Sequence, residues 1–323
     1  MFKEIKVNYG MLENIAKNII IVDGITRSGK TMFNSLLSSL KHCEHTKTMI
    51  LLEHIVPAIS LGTLDHHYAK ALLRIHLNEL IYNNQISRNV NFRYDDLSGI
   101  FKYKEPEKYL KRLSLKDGTT VIDDLRKNTY YFPIRTHEIL VNLEWFNMLE
   151  IDYRMIALFR NPIDITHSWW KCGWGTRFGN EPRAFTLAIE FKNEKLPWFC
   201  VGYEDEWLSL NSMERCGRTV IDLIERSVKQ YLKVVDKSRI YLIKYEDFLS
   251  NAEMEIEEIA KFIGVQTTVY TSNILRSGLQ MSMLDPEQRE SKVRDLKNGM
   301  HATLFDKIMK LSCEYEESFY GLL

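Results

Sequence analysis

Residues 18–31, with the sequence NIIIVDGITRSGKT, combine small, basic and hydroxyl-bearing residues at a spacing that can hold a phosphate-like anion. Gly24, Gly29, Lys30 and Thr31 together fit the P-loop pattern GxxxxGK[ST]. In such a loop, backbone N–H groups and the positive end of the following helix both point at the anion. The motif therefore predicts an anion site, but by itself it does not decide which anion binds.

A second group of residues suited to anion binding follows later, in RNPIDITHSWW at 160–170. Arg160 ends an apolar run that predicts a strand, and Pro162 and Asp164 suit the first turn of a helix. Ser168 then lies about two helical turns beyond Arg160. An arginine at a strand end and a hydroxyl on the next helix could grip a second phosphate group. The alternative is a capped helix with a surface ion pair.

The flanks of the first motif have the order that an anion-binding loop requires. Residues 19–22 form a continuous apolar run, which is typical of a parallel strand buried on both faces. Phe33, Leu36, Leu37 and Leu40 then recur at helical spacing and predict an amphipathic helix. A strand, a loop and a helix therefore follow one another along the chain.

The rest of the chain alternates predicted strands with predicted helices, which indicates an α/β fold with a doubly wound, mostly parallel sheet flanked by helices. Four further runs predict strands: 49–52 ending at Glu53, 118–124 ending in Asp123 and Asp124, 154–162, and 239–247. We expect a single domain over residues 1–323. Two aromatic or helical excursions, 54–117 and 169–210, are expected to form the pocket for a second substrate.

Composition limits the class of protein and its partners. With 43 basic and 43 acidic residues the net charge is zero, which argues against a nucleic-acid or polyanion surface. No run approaches the roughly 18 apolar residues of a membrane span, so we expect a cytoplasmic protein without a membrane partner. The five cysteines are scattered without a CxxC pair, and no HExxH occurs. We therefore expect no bound metal and no disulfide framework.

The two anion-binding segments resemble those of the PAPS-dependent sulfotransferases, whose donor PAPS is 3′-phosphoadenosine 5′-phosphosulfate. That family holds the 5′-phosphosulfate with a PKSGTT or RSGTT loop and the 3′-phosphate with a later strand–RNPxDxxxS–helix unit. TRSGKT at 26–31 and RNPIDITHS at 160–168 look like these units, and residues 241–265 resemble the family's strand–YED–helix–GV segment. The resemblance implies a P-loop-containing α/β fold, sulfuryl transfer from PAPS, release of PAP and no need for a metal.

The resemblance also implies which residues bind the donor, including some from a weaker match at 289–298 to the loop that closes over the 3′-phosphate. In chain order they are Arg27, Ser28, Gly29, Lys30, Thr31, Met32, Arg160, Ser168, Arg289, Lys292 and Arg294. Lys30 replaces the family's usual threonine, and Met32 replaces its frequent tryptophan. Arg27 matches the loop lysine that acts on the leaving group, and Lys30 is expected to share that catalytic role.

The complete P-loop match leaves a different reaction open. A kinase that uses a nucleoside triphosphate would bind its phosphates with the same loop, hold Mg²⁺ with Thr31 and use Asp123 as a strand-end carboxylate. Such an enzyme has no obvious use for the RNPxDxxxS and YED units, so the three family-like segments favour the sulfotransferase. A non-catalytic module that binds PAP or another nucleotide is the second alternative.

Sulfuryl transfer needs a base for the proton of the acceptor's O–H or N–H group. The segment IRTHEIL resembles the KTHLP segment of cytosolic sulfotransferases and nominates His137, with Arg135 at the family's lysine position. Glu53 resembles the glutamate base of several carbohydrate sulfotransferases. Asp123 or Asp124 is the third choice.

The acceptor itself is expected to be a small molecule or a saccharide. Aromatic residues interleaved with the acidic residues Glu204, Asp205 and Glu206 could stack a sugar ring or bind a cation. The sequence decides neither between O- and N-sulfation nor the oligomeric state.

Overall fold

Parallel strands form the central sheet of the computed structural model, which describes residues 8–276 and 286–322. The described strands are β1 Ile19–Gly24, β2 Lys47–Thr48, β3 Phe132–Arg135, β4 Tyr153–Phe159, β5 Ala188–Phe191, β6 Glu194–Pro197 and β7 Ile240–Lys244. Five of them lie in the order β2-β3-β1-β4-β7 and all are parallel, while β5 and β6 form a separate antiparallel hairpin. β1 is therefore central, with its anion-binding loop at the carboxyl edge of the sheet.

Helices pack on both faces of this sheet. In chain order they are α1 Thr31–Ser39, α2 Ile50–Ser60, α3 His66–Gln85, α4 Pro106–Arg112, α5 Thr119–Lys127, α6 Leu143–Asn147, α7 Pro162–Lys171, α8 Trp174–Arg177, α9 Glu204–Ser209, α10 Ser212–Leu232, α11 Tyr245–Ser250, α12 Ala252–Ile263, α13 Val269–Arg276, α14 Pro286–Gly299 and α15 Ala302–Ser318. Ile19 and Ile21 of β1 face the core that α2 and α3 share, and Ile20 and Val22 face α1 and α12. This alternation confirms the predicted doubly wound α/β fold.

The elements with the longest apolar patterns lie where the sequence predicts them. β1, β4 and β7 occupy the runs at 19–22, 154–162 and 239–247, and α1 covers the amphipathic helix predicted from Phe33, Leu36 and Leu37. α12 is followed by Gly264, whose φ of 87° suits a glycine cap. None of the described helices is both long and apolar enough to cross a membrane.

The predicted strand that ended at Glu53 is wrong. β2 is only two residues long, and α2 begins at Ile50. Leu52, Ile55 and Ile59 are buried at helical spacing, so packing of one helix face outweighs the local apolar run. Glu53 consequently lies in the first turn of α2.

The predicted strand over 118–124 is also wrong, because this segment begins the helix α5. Val121 and Leu125, one helical turn apart, are its buried residues. Asp123 is exposed and lies 3.5 Å from Arg126 in an ion pair, so it does not stand at the end of a strand. The strand beside β1 is instead β3, which has four residues including a proline and gave no sequence signal.

The excursion at 169–210 contains the β5–β6 hairpin and an aromatic cluster. Trp169, Trp198 and Trp207 are nearly inaccessible and pack with Phe178 and Phe199. These three tryptophans therefore belong to the core beneath the hairpin, and their side chains would form the floor of any pocket there.

A buried carboxylate, Glu44, fastens the other excursion to the edge of the sheet. Arg112 binds both of its oxygens, at 2.8 and 3.1 Å, and Lys108 and Tyr109 add contacts of 2.6 and 2.7 Å. Burial by itself raises the pKa of Glu44, but the Arg112 hydrogen bonds and the two positive charges outweigh it and lower the pKa to about 2. The ionised carboxylate therefore holds α4 in place.

We expect Glu44→Gln to lower the free energy of unfolding by about 3 kcal/mol, because it leaves two cations without their counter-charge. The pKa of Glu44 is lowered by folding, so its stabilising effect is complete above the unfolded value of about 4.3. The effect is lost as the pH falls towards 2. Urea unfolding at several pH values should show the gap between wild type and variant shrinking below pH 4.

The control is Glu107→Gln, which removes an exposed carboxylate from α4, the helix that Glu44 holds in place. An equal loss of stability in this control, or a gap that persists under acid conditions, would contradict the role assigned to Glu44.

Candidate active site

The anion-binding loop at 24–31 joins β1 to α1 and lies against neighbouring strand ends. Gly24 has a φ of 149° and pairs with Leu158 in the parallel register. A Cβ atom at Gly24 would lie 2.4 Å from the carbonyl oxygen of Leu158, so no side chain fits. At Gly29, with a φ of 102°, a Cβ atom would lie 2.4 Å from the ring of Tyr245. Both motif glycines therefore permit close approach, one to β4 and one to the start of α11.

Lys30, the unusual member of the loop, turns back onto the loop itself. Its Nζ donates hydrogen bonds to the carbonyl oxygens of Gly24 and Ile25, the second at 3.0 Å. The residue is only 4% exposed, and burial lowers the pKa of its ammonium group. The side chain thus ties the loop together and places a positive charge within it.

The two segments nominated for anion binding meet through side chains. Arg27 Nε donates to Ser168 Oγ at 2.9 Å, and Arg160 Nη1 donates to the carbonyl oxygen of Arg27 at 3.1 Å. The guanidinium carbon of Arg160 lies 4.5 Å from the ring centre of Tyr245, a cation–π distance. Arg27, Arg160 and Ser168 therefore form one cluster at the carboxyl ends of β1 and β4.

Glu246 of the YED segment holds β4 and β7 together behind this cluster. One of its oxygens accepts from the backbone N–H of Asn161 at 3.1 Å, and the other accepts from the hydroxyl of Tyr315. The side-chain nitrogen Nδ2 of Asn161 donates to Ser312 Oγ at 2.8 Å and to Glu316 Oε1 at 2.7 Å. Helix α15 thereby supports the turn that positions Arg160.

Arg27 and Arg160 of this cluster line a cavity of about 560 Å³ at the carboxyl edge of the sheet. Its described lining residues come from the loop, the strand ends, α2 and the segment 183–186. Those with charged side chains or a histidine ring are Arg27, Lys30, Glu53, Arg135, His137, Glu138, Arg160 and Arg183. The volume is typical of a small-molecule or cofactor site.

Buried donors without a partner indicate that an anion fits here. The Nε atoms of Arg135 and Arg160, both lining residues, are buried and have no hydrogen-bond partner among the described residues. Buried polar groups are nearly always hydrogen-bonded, so these atoms are suited to oxygens of a ligand. The residues present therefore fit the charged groups of PAPS.

His137 and Glu53, nominated separately as bases, are hydrogen-bonded to each other. His137 Nδ1 lies 2.8 Å from Glu53 Oε1. Burial, reinforced by the charge of Lys30, lowers the pKa of His137 to about 4, and burial raises the pKa of Glu53 to about 7. A neutral imidazole that gives its Nδ1–H to ionised Glu53 keeps a free lone pair on Nε2. The pair can thus accept a proton at the cavity.

Two further loop residues have different surroundings. Thr31 lines the cavity, and its hydroxyl lies 3.5 Å from Arg135, whose other nitrogen donates to Thr48 at 2.9 Å. Met32 packs against the apolar cluster that contains Phe33. Thr31 therefore remains available to a ligand, whereas Met32 is occupied by core packing.

The segment 289–298, expected as a loop, is part of the helix α14, since its long polar residues favour a helix. Arg289 Nη2 and Lys292 Nζ each lie 2.7 Å from the buried carboxylate of Asp164. Arg294 is exposed on the same helix. Asp164 therefore balances two of the cations that the resemblance assigned to the 3′-phosphate.

The carboxylates Asp123 and Asp124 are not among the described residues that line the cavity. Asp124 instead binds Asn128 and Tyr130 near the end of α5. The predicted strand placed both aspartates at the carboxyl edge, and its replacement by a helix removes that placement.

The acidic residues expected beside the acceptor lie elsewhere. Glu206 pairs with Arg218 at 3.0 Å, and Asp205 pairs with Lys192. Glu204, on the same short helix, is half-buried. In the part of the chain that the structure describes, none of the three lines the cavity.

Sequence reasoning missed Glu138, the residue that follows His137. Its Oε1 accepts from both the backbone N–H and the hydroxyl of Thr26, at 2.7 and 2.8 Å. Thr26 is 112 residues away in sequence, so no local pattern signals the contact. Glu138 therefore connects the segment that carries the base to the anion-binding loop.

A family model described as "Sulfotransferase domain" matches residues 17–307. The fold is similar to that of the sulfotransferase domain from the curacin biosynthetic pathway, with a TM-score of 0.48, 10% identity and coverage of 95% of this chain and 99% of that one. The sulfotransferase domain of the Synechococcus PCC 7002 olefin synthase matches with a TM-score of 0.46 and 14% identity, over 92% of this chain and 94% of that one. Retinol dehydratase in complex with androsterone and the inactive cofactor PAP matches with a TM-score of 0.32 and 16% identity, over 96% of this chain and 82% of that one. No curated protein matches the sequence.

We expect Asp164→Asn to loosen α14, because it leaves Arg289 and Lys292 without their buried counter-charge. The free energy of unfolding should fall by about 3 kcal/mol. Hydrogen–deuterium exchange should rise at least about tenfold in α14, which corresponds to a local loss of 1.4 kcal/mol or more. Asp306→Asn, an exposed change on α15, should alter neither quantity. Unchanged exchange in α14 would show that the ion pairs do not hold the helix.

Proposed function

Because the chain belongs to the sulfotransferase family, we propose that it moves a sulfuryl group from PAPS to a hydroxyl or amine of a small-molecule or saccharide acceptor. The observation that carries this proposal is the composition of one cavity. Arg27 and Arg160, which suit the anionic donor, line the same space as the His137–Glu53 pair, which suits the acceptor's proton. Groups suited to bind the donor and groups suited to take the acceptor's proton therefore line one cavity.

When bound, PAPS supplies the activated sulfuryl group, and the residues of the chain bind and orient its charged ends. The loop N–H groups and the Ser28 hydroxyl would hold the 5′-phosphosulfate, and Arg160 and Ser168 the 3′-phosphate. Arg27 carries a guanidinium group, which stabilises the leaving group by charge and not by proton donation. Arg289 and Lys292 are omitted from this set because Asp164 already binds them.

Lys30 is assigned a supporting role in donor binding. Its ammonium group is occupied by the Gly24 and Ile25 carbonyls, so it fixes the shape of the loop. A fixed positive charge in a buried site stabilises developing negative charge without the cost of reorganisation. This differs from the lysine of P-loop kinases, which reaches the nucleotide phosphates.

His137 is assigned the role of general base. Its Nε2 takes the proton that the acceptor loses as the acceptor's bond to sulfur forms and the bond from sulfur to the phosphate oxygen breaks. Glu53 keeps the imidazole in the required tautomer and stabilises the imidazolium that results. Both nominated bases thus act together, one directly and one through the other.

The two alternative functions are less well supported. A kinase would need a strand-end carboxylate, and Asp123, its candidate, lies exposed on α5. A module that only binds PAP would have no use for a buried histidine–carboxylate pair at the cavity. The sulfotransferase accounts for both features.

We expect PAP to stabilise the protein more than ATP with Mg²⁺ does, because the site would bind a 3′-phosphate as well as a 5′-phosphate. At 100 times its dissociation constant, PAP adds about 2.7 kcal/mol to the free energy of unfolding, which raises Tm by about 4 °C in a chain of this length. Thermal unfolding with each nucleotide at equal concentration measures the difference. A larger shift with ATP and Mg²⁺ would favour the kinase, and PAP binding without sulfated product from any acceptor would favour the binding module.

We expect kcat/KM to fall below about pH 7, where Glu53 becomes protonated. Protonated Glu53 would donate a hydrogen bond to Nδ1 of His137. The imidazole would then carry its own proton on Nε2, the atom that must take the proton from the acceptor. Glu53→Gln should lower kcat about tenfold or more and move this acid limb towards pH 4, where His137 itself takes a proton. His137→Ala should lower kcat by about 10²- to 10⁴-fold. Initial rates of product formation from pH 4.5 to 9 test these shifts.

Glu257→Gln, an exposed change on α12, is the control and should reproduce the wild-type profile. Full activity in His137→Ala, or an acid limb that stays at pH 7 in Glu53→Gln, would refute the assignment of the base. PAP binding should be retained in both variants.

A further inference from the structure

A second, smaller chamber of about 40 Å³ adjoins the cavity. Thr26, Glu53, His137 and Glu138 line both spaces, so the chamber and the cavity meet at the proposed base. The rest of the chamber wall is mainly aromatic. Its aromatic side chains, apart from the histidines, are Trp169, Trp174, Phe178, Phe185, Trp198 and Phe199.

The cavity and the chamber differ in the positively charged side chains that line them. The cavity has five cationic lining residues: Arg27, Lys30, Arg135, Arg160 and Arg183. The described residues around the chamber include no lysine or arginine, and their carboxylates are Glu53 and Glu138. An anionic donor therefore suits the cavity, whereas the chamber suits a group of opposite charge.

Three residues of the chamber wall use their hydrogen-bond donors within the protein. Both Thr26 donors go to Glu138 Oε1, the Trp169 indole N–H donates to the Thr26 carbonyl at 2.7 Å, and the Thr186 hydroxyl donates to the Ala184 carbonyl at 3.0 Å. No described residue donates to Glu138 Oε2. Burial raises the pKa of Glu138, although His137, Lys30 and the Thr26 hydrogen bond act in the opposite direction.

We propose that this chamber binds the ammonium group of a cationic amine acceptor, with Glu138 as counter-charge and the aromatic rings as its walls. Aromatic faces attract cations, most strongly where water is excluded. Glu138 accepts an N–H bond from the ammonium group, and the acceptor's hydroxyl extends towards His137. The inference rests on the proposed function, and it defines the class of acceptor.

The lining of the chamber separates this class from saccharides. Its walls are mainly aromatic and include two carboxylates, a combination that suits an ammonium group. A sugar would also require donors, and those of Thr26, Trp169 and Thr186 are taken.

Three phenols of similar shape test the proposal: tyramine, 4-propylphenol and 3-(4-hydroxyphenyl)propionate. They carry a positive, a neutral and a negative tail on the same reacting ring. With PAPS and the full chain, we expect kcat/KM for tyramine to exceed that for 4-propylphenol at least tenfold, with the acid lowest. Equal values, or a preference for the acid, would overturn the proposal.

Glu138→Gln removes the charge but keeps an oxygen that can accept from Thr26. It should reduce kcat/KM for tyramine to the level of 4-propylphenol, and the ratio of the two values, not either value alone, reports the lost charge. Glu204→Gln, which removes a half-buried carboxylate outside the chamber, should retain the tyramine preference. A preference that survives Glu138→Gln would refute the assigned role of that residue.

A binding measurement separates this inference from the proposed function. With PAP present, tyramine should quench tryptophan fluorescence at concentrations at least tenfold lower than 4-propylphenol, because chamber rings surround the ammonium group. Tyramine binding without a sulfated product would support the chamber and overturn the transfer reaction. Sulfation of the phenols without selective tyramine binding would do the reverse.

Discussion

The backbone of Gly24 lies so close to the carbonyl oxygen of Leu158 that no side chain can separate β1 from β4 at this point. Every other part of the site is built from this contact. Arg160, two residues beyond Leu158, is brought within 3.1 Å of the Arg27 carbonyl, and Arg27 reaches Ser168. A fixed distance between two backbones thus becomes a fixed arrangement of charges, which is how a rigid sheet prepares a binding site.

Sequence reasoning succeeded where one long pattern carried the signal. β1 and β4 are buried on both faces and β7 is largely apolar, so their runs are hard to mistake. Gly24 ends β1 and Arg160 directly follows β4. It failed for β2 and β3, which have two and four residues and owe their place to pairing with neighbours. The mistaken position of Asp123 followed from that failure.

Contacts between distant residues explain the rest of the difference. His137 and Glu53 were each nominated from their own segments, but they are 84 residues apart and their hydrogen bond depends on how α2 packs beside β3. The contact of Glu138 with Thr26 is of the same kind. Residue types can predict that such groups do chemistry, whereas their pairing is a property of the tertiary structure.

The direction of the Lys30 side chain shows why a motif does not determine a reaction. The same letters, GxxxxGK[ST], describe loops whose lysine reaches outwards to a nucleotide, yet here the ammonium group binds the loop's own carbonyls. What distinguishes the site is its surroundings: the Arg160 cluster on one side and a neutral histidine with its carboxylate on the other. Function lies in that constellation and not in the loop alone.

The bond from Tyr315 to Glu246 has a consequence for the order in which the protein is made. Ribosomal synthesis releases the loop at 24–31 early, but the turn that carries Arg160 gains its support from α15 only after Tyr315 has emerged. The sheet can collapse before that, because its strands all lie upstream of residue 245. Assembly of the site is therefore one of the last steps of folding, and a nascent chain carries the binding motif well before it carries a finished site.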